Sequence, residues 1–393
     1  MKKIISLGGG GHIGAGGVRE LVKRYPDIEA IVADYDLDAA QALVKEVGGN
    51  ASAIKVDARD FDSLVNTLRG ADAVINYVGP YYVFGEPIVK GAIEAKVPLV
   101  DVCDDGDATV SMLKHDQAAR DAGIPIVVGL GATPGITNLM AAEGAAKLDR
   151  VDDIHTAWAW TAMDPKMTGR AIIDHYFHAI SGNIITFRDG CWVEITAMSV
   201  TRSMEFSHPI GFFEVKEVGH PEPVTIPRYI KGVKNVTNNG GVWPPRFTEI
   251  AMFIKSIGLP ELTEMKVNEH TVYARDVATA IVLALPTVAT DLIESMIEET
   301  VDRYGEFGIQ GVALRVDVKG EKNGRPAQYS YRCCHSEADL LTALPAVLGA
   351  AMLVNGQIEN TGVCAPEGIV DSKVFLDQLK KDIPVEEIAT QYI

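Results

Sequence analysis

The sequence predicts an α/β protein: a doubly wound parallel sheet of the Rossmann type, followed by a second α+β domain with a mostly antiparallel sheet. Three observations carry this. Short apolar runs alternate with amphipathic helix patterns over residues 1–130; a glycine-rich turn follows the first run; and beyond Asp149 the alternation gives way to tryptophans and hairpin patterns.

The apolar runs at 4–7, 28–33, 53–56, 73–78, 99–102 and 124–128 read as six strands buried on both faces of a parallel sheet. Between them, apolar residues recur at helical spacing: Val18, Leu21 and Val22; Ala40, Leu43 and Val44; Phe61, Leu64, Val65 and Leu68; Ile88, Ala92 and Ile93; then residues 112–122. Asp60 is placed to cap the third helix, and Pro87 is expected in the first turn of the fourth. A helix over 137–148 precedes the change of texture. In the second domain Val312, Leu314, Val316 and Val318 alternate with polar residues, Asn323-Gly324 supplies a turn, and Tyr329, Tyr331 and Cys333 alternate again, which predicts a β-hairpin. Helix patterns return at 344–354 and 372–380. The expected division is a dinucleotide-binding domain at 1–135, an α+β substrate and dimerisation domain at 136–338, and C-terminal helices at 339–393 that pack back on the first domain.

The chain has 393 residues, with 36 Lys and Arg against 53 Asp and Glu, a formal charge of −17. Such acidity opposes nucleic acid as a partner and opposes a polybasic membrane anchor. With 47% apolar and 23% charged residues, the composition is that of a folded globular protein rather than a disordered one. Five scattered cysteines without a CxxC pair predict a reducing compartment, the cytoplasm, and no disulfide framework. Residues 4–7 are too short for a signal-peptide core. The apolar stretches 278–285 and 340–354 are too short or too proline-broken to span a bilayer, so no membrane role is expected.

Gly9, Gly11 and Gly14 form a GxGxxG directly after the first strand and at the start of a helix. In that position the spacing predicts a pyrophosphate site built from Gly9, Gly10, Gly11, His12, Ile13 and Gly14, whose N–H groups and positive helix end face the phosphates. Asp34 ends the second strand twenty residues beyond Gly14, where a carboxylate accepts hydrogen bonds from both adenosine ribose hydroxyls. No Arg or Lys follows in Tyr35-Asp36-Leu37-Asp38, so NAD is expected to be preferred over NADP. Asp57 and Ala58, after the third strand, are expected near the adenine; Asn76, Val78 and Gly79, after the fourth, beside the nicotinamide ribose.

Several segments extend this to a family. Gly79-Pro80-Tyr81-Tyr82 with Gly85-Glu86-Pro87, the run 95–101 ending in Pro98-Leu99-Val100-Asp101, and Gly129-Leu130-Gly131-Ala132-Thr133-Pro134-Gly135-Ile136-Thr137-Asn138 resemble the saccharopine dehydrogenase and lysine 6-dehydrogenase family, nearly over the full length. Gly219-His220-Pro221-Glu222 is similar to a glycine-histidine segment of that family's second domain. The resemblance implies an NAD(P)-dependent oxidoreductase acting on the C–N bond of an amino acid or opine-like secondary amine, with hydride transfer to nicotinamide followed by imine hydrolysis or cyclisation. It also implies a homodimer formed through the second-domain sheet. Asp101-Val102-Cys103-Asp104-Asp105 is more acidic than the family pattern, which leaves saccharopine, lysine, a carboxylated polyamine or another opine open as substrate. A non-catalytic NAD-binding sensor and a carbon–carbon double-bond reductase are the alternatives on the same fold.

Ligands of open α/β sheets bind beyond the carboxyl ends of the strands. Oxidising an amine requires its nitrogen unprotonated, so a base titrating near neutrality is useful. Asp104, crowded by Asp105, is one candidate; Tyr81, as donor or cofactor contact, and His178 are the others. The helix start at Thr133, Pro134 and Asn138 is expected to hold a substrate carboxylate together with an arginine of the second domain, Arg246 being chosen from a set that includes Arg170, Arg188, Arg202 and Arg228. His175 and His178 share a helical face, but no further ligand stands at metal spacing, so no metal is expected.

Overall fold

Buried runs of β-branched and aliphatic residues separated by helices can satisfy their backbone only by pairing side by side with crossovers. In the computed structural model, which describes residues 1–161, 169–309 and 311–391, they do so as a parallel sheet. Its strands are β1 (Lys2–Leu7), β2 (Ile28–Asp34), β3 (Ala51–Lys55), β4 (Ala73–Asn76), β5 (Leu99–Asp101) and β6 (Pro125–Val127). The spatial order is β3-β2-β1-β4-β5-β6, and a seventh strand, Gly362–Cys364, adds in parallel to β6. Only Val363 and Cys364 are apolar in this last strand, so no apolar run of the kind that marks β5 and β6 announces it. The order reverses between β1 and β4, which places the ligand crevice of such a sheet beyond their carboxyl ends.

The helices are α1 (His12–Arg24), α2 (Leu37–Val47), α3 (Phe61–Leu68), α4 (Tyr81–Ala95), α5 (Gly106–Leu113), α6 (Asp116–Ala122) and α7 (Ile136–Ala145). Val18, Val32, Ala40 and Leu43 form one core cluster. Leu7, Leu64, Leu68, Ile88 and Leu99 belong to another. Truncating such a fully buried Leu or Ile to Ala costs about 2–5 kcal/mol. The helix Ala338–Val354 is buried almost all round, and its Gly349 lies against Leu130. Asp60 caps α3, its carboxylate accepting from the Ser63 N–H at 3.0 Å. Two expectations are corrected. Pro87 lies inside α4, which begins at Tyr81, so it removes an interior donor instead of occupying the first turn. The predicted helix 112–122 is two helices, because the chain turns at Lys114 and His115.

The chain divides into two compact units. Residues 1–142 and 339–379 make up the first; the second runs from 143 to 338 and takes in the terminal segment from Lys380. The division falls inside α7, a few residues beyond the expected 135. The C-terminal part is likewise divided: 339–379 joins the parallel sheet, whereas Val385–Gln391 is a strand of the other sheet.

The second unit is built on a nine-stranded mixed sheet. Its central strand, Arg150–Thr161, pairs in parallel with Asn235–Trp243 and antiparallel with Val312–Lys322. The predicted hairpin forms with Lys322 opposite Arg325, and Asn323 and Gly324 both take positive φ, at 53° and 72°. Those angles suit a two-residue turn whose twist matches the strands. Strand alternation sends Ile154, Leu314, Val316 and Val318 into one buried face, while His155, Thr237, Asp317 and Ser330 stand together on the other. Among the described residues no single helix is long and apolar enough to cross a membrane.

Candidate functional site

The turn between β1 and α1 is closed by its own backbone. Gly8 N–H donates to Ala33 at 2.8 Å, and Gly11 N–H donates to Gly8 at 3.1 Å. A side chain at Gly14 is impossible without rebuilding, because its Cβ would lie 2.2 Å from the Gly8 carbonyl oxygen. Gly11 differs: a Cβ there would meet only the Gly8 oxygen, at 3.3 Å, and the residue is exposed. A Cβ at 11 is thus tight against that one backbone oxygen and otherwise meets open space, on the side where a ligand would lie. No side chain caps α1 and no acidic residue occupies its first turn, so its positive end is open to an anion. His12 and Ile13 are half-buried in that turn, with His12 Nε2 3.8 Å from the Asp339 carboxylate. This cradle fits a dinucleotide pyrophosphate.

Asp34, buried at the end of β2, accepts the Gly10 N–H on one oxygen at 2.9 Å and the Asp36 N–H on the other at 3.0 Å. Its carboxylate is thus fixed beside the glycine loop. Asp57 and Ala58 follow β3, next to β2. The Asp57 carboxylate is gripped by Arg59, with Nε to Oδ1 at 2.9 Å and Nη2 to Oδ2 at 2.7 Å, which pulls its pKa down to about 2. Arg59 went unnoticed in the sequence because it follows β3, which neighbours β2 through sheet pairing and not through chain order.

At the end of β4, Asn76 Nδ2 donates to Asp101 at 2.6 Å, while Asn76 Oδ1 accepts the Val78 N–H at 2.9 Å. Asp101 also accepts the Cys103 N–H at 2.7 Å. These bonds tie the loops after β4 and β5, including Val78 and Gly79, into one shape. Burial pushes the Asp101 carboxyl up to about 7. The negative field of Asp104 and Asp105 adds to this rise, and the hydrogen bonds from Asn76 and the Cys103 N–H oppose it. Asp105 is buried and accepts the Tyr82 N–H at 3.1 Å. Tyr81 is half-buried at the first position of α4, and burial followed by the field of Asp104 raises its phenol well above the usual value. Tyr81 is therefore a proton donor in hydrogen bonds, not a base.

The segment 129–138 folds back on itself. Gly131 N–H donates to Pro134 at 2.9 Å, Ile136 N–H to Gly131 at 2.9 Å, Thr137 N–H to Ala132 at 3.3 Å, and Gly135 N–H to Asn138 Oδ1 at 3.1 Å. Asn138 is fully buried, and its amide donates to Glu367 at 2.9 Å. At the start of α7, where a substrate carboxylate is expected, the N–H groups of Gly135, Ile136 and Thr137 are thus bonded within the loop, and Asn138 braces the turn. Pro134 is buried; Thr133 is half-buried.

In the second unit the two histidines of the helix Arg170–Ile180 part company. His178 meets Arg275, with Nη1 and Nδ1 3.1 Å apart. His175 presents its ring edge-on to His220 at 5.5 Å. His220 is 3% exposed, and its Nδ1 lies 3.0 Å from Oε2 of the fully buried Glu222. Trp158 packs at 5.9 Å from the same imidazole, and its indole N–H is held by Asn238 Oδ1 at 3.1 Å. Nδ1 of His220 and Oε2 of Glu222 thus share a buried hydrogen bond whose donor is set by the ring tautomer. This buried pair was visible in the sequence only as the Gly219-to-Glu222 segment, and its grouping with His175 depends on the fold. Arg246 is exposed in the first turn of the helix Pro245–Ser256. Of the other arginines, Arg170 pairs with Asp174 and Asp276, Arg188 with the buried Glu217, and Arg228 lies over Trp192.

Residues 4–127 match the saccharopine dehydrogenase NADP-binding domain, and residues 178–383 match the saccharopine dehydrogenase C-terminal domain. A carboxyaminopropylagmatine dehydrogenase from Synechocystis sp. is 22% identical, the alignment covering 96% of each chain. An NADP-dependent, L-glutamate-forming saccharopine dehydrogenase from Pyricularia oryzae is 29% identical over 130 residues, which is 33% of this chain and 26% of that one. The structure of the L-Glu-forming saccharopine dehydrogenase from Saccharomyces cerevisiae superposes with a TM-score of 0.68 at 16% identity, covering 99% of this chain and 100% of that one, and so shares the fold. A glycine turn shaped for pyrophosphate, a doubly wound sheet and a second mixed-sheet unit, matched by both family domains, place the chain in the saccharopine dehydrogenase family of NAD(P)-binding oxidoreductases.

Proposed function

We propose that the protein is an NAD(P)-dependent dehydrogenase of CH–NH bonds whose substrate is an amino acid or an opine-like secondary amine. The observation that carries this reading is the likeness, over 96% of both chains, to a dehydrogenase named for a carboxyalkylated amine. Bound at the glycine turn, a nicotinamide dinucleotide supplies the hydride acceptor.

The chain's own residues do the rest. The open end of α1 neutralises pyrophosphate charge, and Asp34 orients the adenosine ribose, which favours NAD over NADP by repelling a 2′-phosphate. Asp101 holds Asn76, and through it the backbone at Val78, in one geometry. Tyr81 stays protonated and offers its O–H. Amine oxidation needs a group that takes a proton from nitrogen, and His175, packed on the Glu222–His220 pair, is an imidazole suited to that task. Asp104 and His178 stand as the other candidates.

Two further parts belong to the same reading. The nine-stranded sheet is the surface through which two copies associate as a homodimer, and the cytoplasm is its place of action.

Turnover of NAD and NADP against saccharopine, lysine, carboxylated polyamines and other opines tests the proposal. Reduction of the dinucleotide by one of these amines is the expected result. Tight dinucleotide binding with no turnover of any amine would favour a sensor, and turnover only of carbon–carbon double bonds would favour a reductase.

A further inference from the structure

The edge of the parallel sheet at β2 and β3 carries more positive charge than the residues after Asp34 reveal. Lys55 is paired in register with Asp34, and Val56 N–H donates to the Asp34 carbonyl at 2.9 Å. Two residues beyond Asp57 stands Arg59, within electrostatic range of the phenol of Tyr35, the residue after Asp34. The Arg59 side chain is 74% exposed, yet it is not loose: it makes a forked contact with Asp57, whose Oδ1 also accepts the Arg59 backbone N–H at 3.0 Å. Asp34 cannot turn toward this cation, because each of its oxygens is held by a backbone N–H.

In a dinucleotide site of this topology, Asp34 marks the ribose hydroxyls, and the segment after β3 borders the adenosine. A phosphate on the 2′-oxygen would therefore meet the Asp34 carboxylate on one side and the Asp57–Arg59 pair on the other. The guanidinium is the group best shaped to receive such a phosphate, and the carboxylate that occupies its fork is the competitor. We infer that Arg59 is the cofactor-specificity residue at the adenosine end, and that Asp57 holds its guanidinium away from a 2′-phosphate. The inference rests on the dinucleotide-binding reading and deepens it. NAD selection is then a property of two carboxylates, Asp34 by direct repulsion and Asp57 by occupying the nearest arginine. An exposed pair of this kind is worth little to stability, so it opens at small cost when one partner is changed.

The test is equilibrium binding of NAD and NADP, by calorimetry, to the full chain and to Arg59→Ala, Asp57→Asn, the double variant and Lys55→Ala. Arg59→Ala is expected to weaken NADP at least about threefold more than NAD, since it leaves two carboxylates facing the phosphate. Asp57→Asn is expected to shift the affinity ratio toward NADP by about tenfold, and adding Arg59→Ala is expected to abolish that gain. A ratio unmoved by either single variant would overturn the inference. So would a gain that persists in the double variant, which would make it simple loss of negative charge, or a shift produced by Lys55→Ala in place of Arg59→Ala. Failure of the unaltered chain to bind either dinucleotide would instead overturn the reading beneath it.

Discussion

The backbone N–H of Gly10 donates to the Asp34 carboxylate at 2.9 Å, so the residue proposed to read the ribose is fastened to the turn proposed to hold the phosphates. The two parts of the dinucleotide site are thereby set at a fixed spacing before any ligand arrives. Asp34→Asn keeps the size of the side chain and removes its charge. NAD affinity should fall by about tenfold, as expected when a charged hydrogen-bond acceptor becomes neutral, and NADP should fall less. Dissociation constants for both nucleotides check this, and an unchanged NAD affinity would show that Asp34 does not face the ribose.

Gly11 and Gly14 should respond differently to the same added methyl group. Gly14→Ala forces a Cβ to within 2.2 Å of the Gly8 oxygen and should unsettle the turn, lowering the melting temperature together with dinucleotide affinity. Gly11→Ala meets one backbone oxygen at 3.3 Å and should lose much less stability than Gly14→Ala while losing dinucleotide affinity by about tenfold or more. Thermal unfolding with and without NAD separates the two; equal destabilisation by both would mean that the space at Gly11 is not reserved for ligand.

Asp101 should leave a signature in the pH dependence of stability. Its carboxyl is raised to about 7 by burial, so between the ordinary carboxylate range and pH 7 the folded chain binds a proton that the unfolded chain has lost. The stabilisation linked to that proton is complete below the unfolded pKa and is lost as pH rises through about 7. The slope is at most ~1.4 kcal/mol per pH unit. Urea unfolding of the unaltered chain and of Asp101→Asn, compared at matched pH values from acid to neutral, isolates it, since the variant lacks the proton. Parallel profiles would contradict the shift.

Glu222→Gln retains an acceptor for His220 but removes the buried charge beside it. Stability should drop by about 1–3 kcal/mol, and amine turnover should fall even at temperatures where the variant is fully folded. Urea unfolding and kcat/KM, measured on the same preparation, test this. An unchanged unfolding midpoint would show that the pair is not ionic.

Much of the first unit was legible because its signals are local. Runs such as residues 4–7 announce buried parallel strands, Asp60 is recognisable as a cap, and the glycine turn owes its meaning to the strand before it and the helix after it. The Asn323-Gly324 hairpin was legible for the same reason. What escaped depends on residues brought together by the fold. Arg59 reaches the Asp34 region because β3 lies beside β2. His175, rather than its helical neighbour His178, meets His220 because the helix Arg170–Ile180 turns that side chain toward the buried pair. The hydrogen bonds of Ile136 and Thr137 at the start of α7 depend on the carbonyls of Gly131 and Ala132 folding back over the turn, which no spacing rule records.

The central claim is that hydride leaves a carbon bonded to nitrogen. Once an amine that reduces the dinucleotide is found, the same amine deuterated at that carbon, followed by mass spectrometry of the reduced nucleotide, tests it most directly. The account predicts one deuterium on the nicotinamide ring and a carbonyl or cyclic imine product from the labelled carbon. Reduced nucleotide free of deuterium, with the label retained in the product, would contradict it.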